Sequence, residues 1–146
     1  MVHALEEAHR LLRPDGFLVD IHPVPEAPNI EVRQDGKLLL SETYPARSVE
    51  DYRQADRAIE SSLERRLFVA PGRDLFDFLT YASSASELRD FFKKTGAYDQ
   101  TPKDQTVEAR KAELFSRVDQ LIKSTGAAAD VIFVERAQVA VLRPIA

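Results

Sequence analysis

The strongest constraint in this sequence lies near its start, where a short amphipathic helix turns a proline–aspartate–glycine corner into a compact apolar run. Leu5, Ala8 and Leu12 repeat at helical spacing while Glu6, Glu7 and Arg10 fall on the opposite side, which predicts a helix over 2–12. Pro14 and Gly16 end it, with Arg13 close to the negative end of the helix dipole. Phe17-Leu18-Val19-Asp20-Ile21 then reads as a strand covered on both faces. A helix feeding a buried strand is the second half of a strand–helix–strand crossover, so an interior parallel strand is expected here.

The rest of the chain alternates between helical and extended patterns. Pro23, Pro25 and Pro28 keep the stretch after His22 extended and irregular. Ile30–Arg33 and Lys37–Ser41 flank Gln34-Asp35-Gly36, a hairpin signal. Ser48 with Asp51 forms a capping box for a helix of about 20 residues, with Tyr52, Ala55, Ile59 and Leu63 as its buried stripe. Pro71-Gly72 predicts a turn, and Leu75–Tyr81 a strand. Ser86 is placed as the cap of a short helix closed by Gly96, and Thr106 as the cap of a longer one closed by Gly126. Val131–Val134 and Val139–Arg143 read as a terminal hairpin or one bent strand. Together these elements make a mixed α/β chain, a single domain over 1–146.

Composition excludes several classes of function. With no cysteine among 146 residues, disulfides, thiolate metal sites and cysteine nucleophiles are impossible, which suits a cytoplasmic protein. Net charge is −4 with both signs interspersed, so no footprint for nucleic acid is present. No apolar run approaches membrane-helix length, so no membrane association is expected. The five glycines, Gly16, Gly36, Gly72, Gly96 and Gly126, are never closer than 20 positions. Neither a Gly-x-Gly dinucleotide loop nor a P-loop can be assembled from that spacing.

One stretch resembles a known family. Residues Ala4 to Ile21, with the corner Leu12-Arg13-Pro14-Asp15-Gly16, are similar to the segment of class I S-adenosylmethionine-dependent methyltransferases in which a helix enters the fifth strand of the sheet. Asp15 replaces the first of two glycines usual in that corner. His22-Pro23 through Asp35-Gly36, and the ending Val139 to Pro144, look like a methyltransferase-like bacterial subfamily. The resemblance implies a partial Rossmann-like methyltransferase sheet with flanking helices and antiparallel C-terminal strands. It also implies that this chain corresponds to the C-terminal half of the fold. The cofactor loop after the first strand, and the acidic residue ending the second, would belong to the other half. By this resemblance the isolated chain binds no S-adenosylmethionine and transfers no methyl group alone.

Few residues present themselves as a site. Asp20 and His22 share one face of the strand, at a position that borders the acceptor-substrate pocket in the resembled family. Contact with a substrate, or action as a base, is one reading of His22; a histidine hydrogen-bonded within the proline-rich loop is the simpler one. His3 and His9 are six apart and miss a common helix face, so they form no metal pair. Asp74, Asp77 and Glu87 are dispersed, and Asp99, Asp104 and Glu108 read as acids solvating a loop. Phe76, Phe78, Phe91 and Phe92 read as core. The uncovered side of the strand over 17–21 predicts a homodimer or a separate partner carrying the N-terminal half. Two other functions fit the same sequence: a non-enzymatic protein-interaction module, and a small-ligand-binding α+β domain.

Overall fold

A computed structural model describes residues 2–45, 49–96 and 104–145. In chain order the elements are helix α1 (Val2–Leu11), strands β1 (Leu18–Pro23), β2 (Asn29–Gln34) and β3 (Lys37–Thr43), helix α2 (Glu50–Glu64), strand β4 (Phe68–Ala82), helices α3 (Ala85–Thr95) and α4 (Gln105–Thr125), and strand β5 (Asp130–Pro144). The chain divides into two compact units. Met1–Glu26, Ser48–Asp77 and Arg136–Ala146 form the first; Ala27–Arg47 and Phe78–Glu135 form the second.

In the first unit β1 pairs antiparallel with the second half of β5, from Leu18 opposite Leu142 to Pro23 opposite Ala137. Helices α1 and α2 cover one face of this pair. Leu5, Ala58, Ile59, Phe68, Ala140 and Leu142 form the core there, each large side chain contributing roughly 1.5–3 kcal/mol on burial. The corner between α1 and β1 is tight because Gly16 donates its N–H to the Arg13 carbonyl at 2.9 Å, and a Cβ at Gly16 would stand 3.0 Å from that oxygen. His9 anchors α1 to the end of β5, its Nε2 lying 3.0 Å from the Ile145 carbonyl oxygen and its ring edge-on to Phe68. Arg65 pairs with Glu6 at 2.5 Å, joining α2 to α1.

In the second unit the first half of β5 pairs antiparallel with β2, and β2 with β3. Asp35 and Gly36 make the two-residue hairpin turn with φ of 49° and 77°, the left-handed pair such a tight turn requires. Helices α3 and α4 pack on this sheet through Leu88, Leu114, Phe115 and Val118. Tyr44, Phe92, Phe115 and Phe133 form an aromatic cluster with centroid separations of 4.8–6.4 Å.

Several expectations from the sequence are corrected. No parallel strand pair exists among the described residues, and β1 pairs with β5 alone. Its outward side chains Val19 and Ile21, together with Phe17 before it, are exposed, so the strand is covered on one face only. Pro71-Gly72 makes no turn: both lie inside the 15-residue β4, an edge strand, where a residue without N–H and a residue without side chain are tolerated. Of the two readings of the chain ending, a hairpin or one strand, the structure has the single continuous strand.

The caps also move. Ser84, not Ser86, caps α3: its Oγ accepts from the Glu87 N–H, while the Glu87 carboxylate accepts from Ser83. Asp104, not Thr106, caps α4, because its carboxylate accepts from both the Thr106 and Val107 N–H groups. Helix α2 runs for 15 residues, and Val49 sits at its N-cap with no side-chain hydrogen bond. Ser48 lies outside the described residues, as does Asp99. Phe76, Phe78 and Phe91 are exposed, leaving Phe92 as the one member of that aromatic group packed on the core.

Candidate functional site

The first unit brings three ionisable side chains together on its helix-covered face. Alternation along β1 points Asp20 and His22 the same way, and His22 is buried with only 8% of its surface exposed. From α2, Asp56 approaches the opposite edge of the ring. His22 Nδ1 lies 2.5 Å from Asp20 Oδ2, and His22 Nε2 lies 2.8 Å from Asp56 Oδ1. The imidazole therefore bridges two carboxylates and two secondary-structure elements.

This geometry favours the charged ring. A neutral imidazole has one N–H and would present a lone pair to one of the two carboxylates; an imidazolium donates to both. Burial alone lowers the His22 pKa, but the hydrogen bonds to Asp56 and Asp20, and the charges of both, outweigh it and raise the pKa above its ordinary value. The two hydrogen bonds therefore favour the protonated ring. It offers no free ring nitrogen to a substrate, so a general base at His22 would first have to release Asp56.

Asp20 and His22 are thus brought together as their alternation predicts, while Asp56 escaped the sequence reading. A signal for it existed: Asp56 follows Tyr52 by four and precedes Ile59 by three, which puts a carboxylate directly on the apolar stripe of α2. The remaining candidates scatter. Asp77 pairs with Arg136 at 3.4 Å, Asp104 caps α4, and Glu87 is consumed at the start of α3. Among the described residues no group of histidine and acidic side chains is arranged to hold a metal ion. The ring of His22 stands between its two carboxylates, where a cation would need to be. Glu135, half-buried on β5, has its pKa raised by burial.

Two features of the described residues bear on S-adenosylmethionine, the cofactor of the resembled family. Added Cβ atoms at Gly36, Gly72 and Gly126 would meet nothing within 4 Å, and those at Gly16 and Gly96 would meet only atoms of their own turns. The two acids nearest the end of β1 are engaged by His22 rather than available to a ribose. No family model, no curated protein and no solved structure matches this chain. No helix among the described residues is long and apolar enough to cross a membrane.

Proposed function

We propose that this chain is the acceptor-side half of a methyltransferase-like fold, incomplete for cofactor binding and for methyl transfer without a second polypeptide segment. The observation that carries the reading is the passage from α1 through the Gly16 corner into β1. That strand ends in His22-Pro23, keeps one edge unpaired among the described residues, and leaves Phe17, Val19 and Ile21 bare. An edge and an apolar face of this kind suit a strand made to stand inside a larger, Rossmann-like sheet. The Asp20–His22–Asp56 cluster then fixes the wall of the site rather than performing chemistry. The absence of cysteine fits a cytoplasmic setting.

The test combines sequence and calorimetry. The coding DNA immediately upstream should hold an adjacent or in-frame segment with Asp/Glu-x-Gly-x-Gly, and its product mixed with this chain should bind S-adenosylmethionine where this chain alone does not. Upstream DNA without such a segment, or a micromolar dissociation constant for this chain by itself, overturns the proposal. A non-enzymatic interaction module is the second reading, favoured by the exposed Leu75, Phe78 and Tyr81 on β4. Capture of a defined protein partner without small-molecule binding would select it.

A further inference from the structure

Helix α2 is gripped unevenly along its length. The apolar core of its unit takes Ala58, Ile59 and Leu63, all of which follow Asp56 in the chain. Before Asp56, Ala55 is buried, and Val49 at the N-cap supplies no side-chain acceptor to the first N–H groups of the helix. Glu50 pairs with Arg53 and Arg57, contacts that lie within the helix and move with it. The bond from His22 to Asp56 thus stands where the densely packed half of α2 meets its first two turns. The two acids also hold the ring differently. Asp20 sits on the same strand as His22, whereas Asp56 is on another element and is the more exposed of the two. A neutral imidazole has one N–H, so it serves one acid and turns a lone pair to the other. Asp20, at 2.5 Å, is the closer partner and keeps the proton. The Asp56 carboxylate is then left 2.8 Å from a lone pair, a repulsive contact that water can relieve.

We infer that His22 and Asp56 form a pH-sensitive latch: loss of the His22 proton releases the first two turns of α2, residues 50–57, from β1, while the rest of the helix stays docked. Among the described residues, Asp20 from β1 and Asp56 from α2 are the charged groups that bear on the ring, and β5 sets the uncharged Gln138 opposite His22. Both acids favour the protonated ring, so the latch is closed at low pH and opens as pH rises. Opening is local because Ala58 and Ile59 remain buried in the core whatever the charge of the ring, and segments with fewer buried apolar contacts open first. It has a chemical consequence. The closed cluster offers no free ring nitrogen, whereas the open one presents the Nε2 lone pair to solvent, with Asp20 still fixing the tautomer through Nδ1. The latch uses only groups of this unit and stands independently of any kinship to methyltransferases.

Amide hydrogen exchange on the full chain, read residue by residue by NMR from about pH 5 to about pH 9 and divided by the intrinsic exchange rate, tests this. Protection of amides 53–57 should fall by about tenfold or more across that range, the scale of one lost charge-assisted hydrogen bond. Protection of amides 59–64 should change by less than about twofold. Two variants check the cause. His22→Gln cannot titrate, so protection over 53–57 should be the same at both ends of the range. Asp56→Asn keeps the histidine but offers it an amide that can accept from an N–H or donate to a lone pair, and should flatten the profile as well. Should one variant fail to fold, the other still decides. A wild-type chain with no pH-dependent loss over 53–57 overturns the inference. So does an equal loss over 59–64, which would mean that the whole helix leaves, and so does a loss that persists in either variant.

Discussion

His22 Nε2 and Asp56 Oδ1 stand 2.8 Å apart and join the end of β1 to the middle of α2. With Asp20 on the other ring nitrogen, the imidazole hydrogen-bonds both acids of the cluster and so joins a sheet and a helix. The folded-state pKa of His22 lies above its ordinary value of 6.5. Its contribution to stability is therefore complete below that ordinary value and is lost as pH rises through the folded-state pKa. Urea unfolding followed from pH 6 upward should show a midpoint that declines on the alkaline side. In a His22→Gln chain that decline should disappear. An unchanged alkaline decline in the variant would mean that another group causes it.

Removing one member of the cluster should cost unequal amounts. His22→Ala leaves the Asp20 and Asp56 carboxylates without their shared cation and should destabilise the chain by about 3 kcal/mol. Asp56→Asn removes a charge that is itself partly solvated, and should cost about 1–2 kcal/mol. Chemical denaturation at neutral pH checks both. If Asp56→Asn proved the costlier change, the bridge could not be centred on the histidine.

How much of this was legible beforehand follows from what each signal encodes. The α1 stripe, the Asp35-Gly36 turn and the shared face of Asp20 and His22 rest on local spacing, and each appears in the structure as expected. Burial of Phe17–Ile21 on both faces was not legible, because an apolar run records what a strand can be packed against and not which neighbours are present. Pro71-Gly72 misled for a related reason: a turn dipeptide remains in extended backbone when a long partner such as β5 pairs alongside it. Ser86 lost to Ser84 because only Ser84 stands three residues before Glu87, whose N–H it accepts. Asp56 was the costliest omission. Its position on the apolar stripe was visible, but its partner lies 34 residues away on another element, and no periodicity joins them.

The aromatic cluster of the second unit should behave as a single packed body. Phe115 is 3% exposed and touches Tyr44 and Phe92, while the Arg89 guanidinium stands 5.5 Å above its ring. Phe115→Ala opens a cavity in this cluster and should cost about 3–5 kcal/mol. Phe115→Leu keeps most of the volume and should cost less than half as much. Thermal unfolding of the two variants compares them directly; equal losses would place the energy in the ring contacts rather than in the filled space.

Glu135 offers the opposite kind of test, a side chain whose charge the fold resists. It is half-buried on β5, has no hydrogen-bond or ion-pair partner among the described residues, and burial raises its pKa above the ordinary carboxylate value of 4.5. The folded state therefore favours the protonated acid, and stability falls as pH rises from that ordinary value through the folded-state pKa. Glu135→Gln removes the charge while keeping the shape, and should stabilise the chain by up to about 1 kcal/mol at neutral pH. Below the ordinary carboxylate pKa both chains are neutral at this position and the advantage should vanish. Denaturation midpoints at pH 7.5 and at about pH 4 decide the matter. A gain confined to neutral pH confirms that the buried charge is a cost. A loss of stability at neutral pH would instead mean that the carboxylate is bound by a partner, and that this face of β5 is covered in the functional assembly.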